Sequence, residues 1–154
     1  MHSILPGPMS VADLITRRAM LAGSAGGGLA LGAPLQLCGN LDLLEIAVAN
    51  LLENAVKYGG SGGTVTVHIA REQLPRGPGL RVDVMDQGEG IDPVHIPRLT
   101  ERFYRVDSHR SRAMGGTGLG LAIVKHIVQR HRGRLVIESE IGNGSKFSIL
   151  LPMA

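Results

Sequence analysis

The sequence predicts an α+β fold, a two-layer sandwich in which helices cover one face of a mixed, mostly antiparallel sheet. Three observations lead there. Segments with helical periodicity alternate with pairs of strand-like segments, in the order helix, two strands, polar loop, helix, two strands. The 154 residues suit one domain with a sizeable core. Hydrophobic residues make up 44% of the chain with only two Tyr, two Phe and no Trp, so that core is aliphatic.

Taken in order, residues 1–10 carry two prolines and a glycine and read as a disordered lead. Residues 11–23 have modest helical character, 24–28 form a flexible break, and 29–38 suit a short edge hairpin. Asn40 or Asp42 would cap a helix running to Tyr58, with Leu44, Val48, Leu51 and Ala55 on its buried face. Strands are expected at 64–70 and 80–85, separated by a Pro/Gly loop at 75–79. Pro93 and Pro97 would start short helical turns, and residues 106–115 form a polar, basic, mobile loop. A second helix over 119–131 would bury Ile123, Val124, Ile127 and Val128, and a hairpin of strands 134–140 and 146–150 would turn at 141–144. Residues 1–39 are thus a lead, connector and edge hairpin, and 40–154 the functional domain.

Composition excludes several classes. The net charge of +3 is too small to signal nucleic-acid binding, and so few aromatic residues supply no base-stacking platform. A single cysteine, Cys38, excludes an internal disulfide framework and a cysteine-based zinc site. No apolar run reaches the roughly 18 residues of a membrane span, so no membrane contact by this chain is expected and a cytoplasmic location is. Thr16-Arg17-Arg18 before an apolar run has the look of a twin-arginine export signal, but a phosphate-handling site fits poorly outside the cytoplasm. Arg98, Arg102, Arg105, Arg110 and Arg112, with His109, fall within fifteen residues; this cluster is either a solvated face or a match for a polyanion.

Three stretches carry chemistry. Gly116, Gly118 and Gly120 alternate with Thr117 and Leu119 just before a helix, and a glycine-rich helix start is either a close-packing device or a phosphate cradle of unpartnered N–H groups. Asn50, Asn54 and Lys57 share a helix stripe away from the buried face. That stripe is either solvated or supplies a neutral oxygen for Mg²⁺ and a point charge for phosphates. Asp86, at a strand end before Gly88 and Gly90, is either an ordinary turn residue or an acceptor for an exocyclic amine such as that of adenine.

Together these stretches resemble one family. Asn50-Leu51-Leu52-Glu53-Asn54-Ala55-Val56-Lys57-Tyr58 is similar to the N box of sensor histidine kinases. The segment from Asp86 to Gly90 is similar to their first glycine box, Arg102-Phe103-Tyr104-Arg105 to their F box, and the segment from Gly116 to Leu121 to their second glycine box. Residues 141–147 resemble the closing glycine segment, and the whole resemblance covers about residues 40–151 in the family's order. The loop through Ser108-His109-Arg110-Ser111-Arg112 most resembles phosphate-regulon sensor kinases.

The resemblance implies an ATP-binding catalytic domain of the GHKL type, with ATP under a mobile lid. It implies Asn54 as Mg²⁺ ligand with Asn50 beside it, Lys57 and Tyr58 at phosphate and nucleotide, and Asp86, Gly88, Gly90 and Ile91 around adenine. Phe103 would anchor the lid, Arg102 or Arg105 would lie near the phosphates, and Gly116, Thr117, Gly118, Leu119 and Gly120 would face them. It further implies phosphoryl transfer to a histidine on a separate dimerisation domain of the same kinase, with Glu53 as a base, and a response regulator downstream of that domain. The parent would be anchored in the bacterial inner membrane. The ATP-hydrolysing relatives carry Glu at the position of Asn50, which favours kinase over ATPase. None of the six histidines has the context of a phosphoacceptor box, so this chain should not autophosphorylate alone and should be monomeric. Two other readings are a nucleotide-binding regulatory module without transfer and an anti-sigma-type serine kinase; the intact glycines and the Phe-Tyr-Arg sequence argue against them.

Overall fold

The computed structural model describes residues 39–60, 63–106 and 115–153. The expectations for residues 1–38, including the edge hairpin, the twin-arginine stretch and Cys38, lie outside these residues, as do His109, Arg110 and Arg112. Helix α1 (Leu41–Tyr58) leads into strands β1 (Thr66–Leu74) and β2 (Gly77–Asp86). A 3₁₀ turn (Ile96–Arg98) precedes helix α2 (Gly120–Arg130) and strands β3 (Arg134–Glu140) and β4 (Gly144–Pro152). The four strands form one sheet in the order β1-β2-β4-β3, and every pairing among the described residues is antiparallel.

The sequence explains the layers. In β2, Leu80, Val82 and Val84 alternate with polar or half-buried neighbours and face the helices. Register sets them opposite Leu151, Ile149 and Phe147 of β4. Against this surface α1 seats Leu44, Ala47, Val48, Leu51 and Ala55, and α2 seats Val124, Ile127 and Val128. Asn40 caps α1, its Oδ1 accepting from Leu43 N at 3.1 Å. Its own N–H donates to His131 Nε2 at 3.0 Å, while His131 Nδ1 donates to the Ile127 carbonyl at 2.7 Å. One neutral imidazole thereby ties the start of α1 to the end of α2.

Two expectations need correction. The connection between β1 and β2 is a two-residue turn at Pro75 and Arg76, not a loop over 75–79. Pro78 keeps a useful carbonyl, which accepts from Met153 N at 3.0 Å, so β2 starts earlier than proline and glycine suggest. Gly79 lies inside the strand because a Cβ there would stand 2.4 Å from Leu74 Cδ1. Ile123, expected on the buried face of α2, is 41% exposed. At about 100° per residue it falls on the margin of the stripe that Val124, Ile127 and Val128 define.

The sheet face away from the helices carries a buried carboxylate, Asp83. Arg81 Nε reaches both its oxygens, at 2.8 and 3.1 Å, and His68 Nδ1 stands 3.6 Å from Oδ2. Burial pushes the Asp83 carboxyl up, but contacts from Ser148 and Arg81 and the charges of Arg81 and Lys146 outweigh it and hold the group below its ordinary range. The Ser148 hydroxyl, fully buried, falls short of strict hydrogen-bond geometry to any partner. A depressed carboxylate stabilises the fold above its unfolded-state value, and that contribution is lost as pH falls through the folded one. Asp83→Asn is therefore expected to lower stability at neutral pH, with the deficit shrinking below about pH 4. Urea unfolding of both proteins across the acid range checks this; a pH-independent gap would contradict it.

Candidate functional site

The end of β2 meets the end of α1 and the β3–β4 turn at Asp86. The carboxylate is buried, and its Oδ1 accepts from Gly88 N at 2.9 Å. Oδ2 accepts no hydrogen bond among the described residues. A Cβ at Gly88 would stand 2.0 Å from the Tyr58 carbonyl oxygen, so α1 ends directly against the 86–91 segment. Gly90 (φ +73°) passes as close to Glu140, where a Cβ would be 2.0 Å from the carbonyl oxygen. Gly142 N donates to the Glu89 carbonyl at 2.7 Å, and Ile91 N to Ser139 Oγ at 2.8 Å. Ser139 Oγ in turn donates to the Gly144 carbonyl at 2.9 Å and lies 2.8 Å from Ser145 Oγ. Ser139 and Ser145 are supports that sequence reading missed; their signal was only two serines flanking a glycine-rich turn.

The polar stripe of α1 runs along the same region. Asn50 Nδ2 donates to the Ile46 carbonyl at 2.9 Å, which orients its Oδ1 toward α2, 3.0 Å from where a Cβ on Gly120 would be. Asn54, one turn on, is half-buried, and its amide makes no hydrogen bond among the described residues. Glu53 is exposed and pairs with Lys57 at 3.1 Å along the helix. Tyr58 is 42% exposed.

The first turn of α2 faces this stripe and has no side-chain cap, so its leading N–H groups are available to an anion. Leu119 N is engaged by Thr117 Oγ1 at 3.3 Å. The 103–105 segment holds the approach to this helix. Phe103 N donates to the Gly118 carbonyl at 2.8 Å, and an Arg105 NH₂ group donates to the Gly116 carbonyl. Phe103 adopts a φ of +65°, rare for a bulky residue, and its ring is 70% exposed, so it anchors by backbone alone. Arg105 is directed at the loop backbone, whereas Arg102 is exposed. Tyr104 is fixed from two sides, by His95 Nδ1 at 2.6 Å from its hydroxyl and by the Arg98 guanidinium 4.3 Å over its ring.

These groups suit a nucleotide triphosphate. A buried carboxylate with an unused oxygen can accept from an exocyclic amine, and an uncapped helix start can hold phosphates. No group of three or more His, Cys, Asp or Glu side chains that could hold a metal occurs among the described residues. Asn54 offers a single neutral oxygen, which suits Mg²⁺, an ion that keeps waters and phosphates in its shell.

Comparison with known proteins agrees with this geometry. A family described as histidine kinase-, DNA gyrase B- and HSP90-like ATPase matches residues 39–154. The phosphate regulon sensor protein PhoR of Pseudomonas aeruginosa is 52% identical over 114 residues, covering 74% of this chain and 25% of that protein. The chain thus spans about a quarter of the length of that relative. Among solved structures, a mycobacterial sensor histidine kinase, MprB, superposes with a TM-score of 0.66 at 34% identity, covering 78% of this chain and 76% of that one. Full-length ShkA in complex with AMPPNP superposes with a TM-score of 0.57 at 28% identity, covering 73% of this chain and 22% of that one.

The backbone convergence around Asp86 separates two glycines that look alike in sequence. Gly142 (φ +88°) has nothing within 4 Å of a would-be Cβ, so alanine there costs only its strained φ, about 1–2 kcal/mol. At Gly90 the same strain adds to a collision with the Glu140 backbone. Gly90→Ala is expected to lower the urea midpoint clearly more than Gly142→Ala, and equal losses would contradict the close packing.

Proposed function

Since the chain belongs to the histidine kinase-, DNA gyrase B- and HSP90-like ATPase family, we propose that it is the ATP-binding catalytic domain of a two-component sensor histidine kinase, acting with Mg²⁺. The observation that carries this reading is the Asp86 carboxylate, buried with one oxygen bonded to Gly88 N beside the end of α1, the helix whose Asn50 meets the uncapped start of α2. A solved relative bound to AMPPNP lends it support.

When bound, ATP supplies the γ-phosphoryl group and Mg²⁺ neutralises its charge. Asp86 Oδ2 accepts from the adenine amine, with Gly88, Gly90 and Ile91 letting backbone approach the ring. The Asn54 amide oxygen holds the metal, with Asn50 beside it. Lys57 and the N–H groups of Gly116, Gly118 and Gly120 orient phosphate oxygens, which is most of what phosphoryl transfer asks of a protein. The acceptor is a histidine nitrogen on the helical dimerisation domain of the same kinase, and a response regulator takes the phosphoryl group from there. Glu53, beside Asn54, takes the proton from that histidine; its ion pair with Lys57 must yield for this. No described helix is long and apolar enough to cross a membrane; the parent kinase is held at the inner membrane by other segments, with this domain in the cytoplasm.

Calorimetry of ATP binding, with and without Mg²⁺, on this chain and on Asp86→Asn is the test. Asparagine keeps an oxygen for Gly88 N but turns an NH₂ toward the amine, so binding should weaken by about tenfold to a hundredfold. Mg²⁺-dependent binding by the parent chain followed by label on a separately supplied dimerisation domain supports transfer. Binding without transfer would point to a regulatory nucleotide module, and no binding by the folded chain would overturn the reading.

A further inference from the structure

Residues 91–104 cross from the Asp86 end of the candidate site to the start of α2, and a side-chain bond braces that path. At its beginning Ile91 N donates to Ser139 Oγ at 2.8 Å, which ties it to β3. Ser139 pairs with Ser145, which in turn pairs with Asp86, so the tie sits beside the carboxylate. A run of turns follows. His95 N donates to the Asp92 carbonyl at 2.9 Å, Arg98 N to that of His95 at 3.0 Å, and Glu101 N to that of Arg98 at 2.9 Å. At the far end Phe103 N donates to the Gly118 carbonyl at 2.8 Å, just ahead of α2. His95 Nδ1 lies 2.6 Å from the Tyr104 hydroxyl, a bond across nine positions that holds these turns against one another.

Phe103 shows why a brace is needed there. Its φ of +65° is unfavourable for a bulky residue, and its exposed ring contributes little packing to offset that. The conformation persists because the backbone is pinned on both sides, at Gly118 through Phe103 N and at His95 through Tyr104. Gly118 leaves no slack, since a Cβ there would stand 2.9 Å from Phe103 Cα. Releasing Tyr104 lets the turn at Phe103 relax, and the 116–118 segment then loses its set position ahead of α2.

We propose that His95 and Tyr104 are positioning residues for the nucleotide phosphates, acting through the backbone of Phe103 and Gly118. The inference rests on the proposed ATP-binding reading and adds His95, which lies outside every stretch that resembles the family. The hydroxyl can donate to a bare Nδ1 or accept from a protonated one, so the bond survives either tautomer. Asparagine at position 95 sets an amide near the place of Nδ1 and can keep the bond, whereas leucine cannot. Cutting the bond leaves the turns in place, together with the contact of Lys125 Nζ with Thr100 Oγ1 at 3.5 Å, so the fold should survive.

The test is calorimetry of the full chain with ATP and Mg²⁺, on the parent, Tyr104→Phe, His95→Leu, their double variant and His95→Asn, each checked for an unchanged circular dichroism spectrum. Tyr104→Phe and His95→Leu should each weaken ATP binding about threefold to tenfold, the worth of one hydrogen bond. The double variant should lose no more than either single one, because both remove the same bond. His95→Asn should bind within about twofold of the parent. Amide hydrogen exchange at Phe103 should quicken in Tyr104→Phe and His95→Leu but not in His95→Asn. Unchanged affinity in Tyr104→Phe and His95→Leu, additive losses in the double variant, or an equal loss in His95→Asn would overturn the proposal and leave ATP binding standing. No ATP binding by the folded parent would overturn the proposed function, and this inference with it.

Discussion

The structure turns on a backbone convergence with no room for side chains. At the end of β2, three segments approach within contact distance of one another: the close of α1 at Tyr58, the 86–91 segment, and the β3–β4 turn at Glu140. Gly144 (φ +86°) belongs to the same knot, since a Cβ there would stand 2.1 Å from the Asp86 carbonyl oxygen. Because these contacts are between main chains, they fix distances that side-chain packing alone would leave loose. Asp86 is positioned by that knot, which is why a carboxylate can be buried there with one oxygen spent and the other unspent.

A second constraint sets the two helices. His131 couples the cap of α1 to the last turn of α2, and at the other end Gly120 brings the first turn of α2 against Asn50. The helix dipole of α2 thus points its positive end at the polar stripe of α1. The 103–105 segment is stitched to 116–118 by main-chain and guanidinium hydrogen bonds, so the path into α2 is held from outside the core. The site is a meeting of helix ends and loops over a rigid sheet, and none of its polar groups sits in the hydrophobic interior except Asp86.

Much of this was legible in the sequence because the signals were local. Asn40 caps as its position suggests, Leu44, Val48, Leu51 and Ala55 are all buried, and β3 runs over the residues expected. The errors arose where a distant partner decides. Proline and glycine at 75–79 read as a loop, but a strand tolerates Pro78 when its carbonyl serves Met153, and Gly79 when Leu74 must cross it. Ile123 has the right periodicity, yet the surface it would cover lies at the edge of the layer. The resemblance singled out Asn50, Asn54, Asp86 and the glycines of 116–120 as candidates, and the structure sets Asn50 against Gly120 and buries Asp86. It did not reveal that Ser139 and Ser145 brace the loop, because those contacts span 48 residues of chain between Ile91 and Ser139.

The orientation of Asn50 bears on the kind of chemistry this site can do. Only its NH₂ can bond the Ile46 carbonyl, so the amide cannot flip without losing that bond, and its oxygen stays turned to the start of α2. An amide does not take up a proton at neutral pH, so the side chain nearest the start of α2 can orient a ligand but cannot act as a base. A water molecule there would lack a base. The carboxylate that is available, Glu53, lies outside, exposed and tethered to Lys57. A base so placed serves a nucleophile that arrives from solvent on another surface better than one enclosed with the nucleotide. On the proposed reading, the same arrangement that makes hydrolysis slow makes the domain dependent on a partner histidine, and phosphoryl transfer then follows docking.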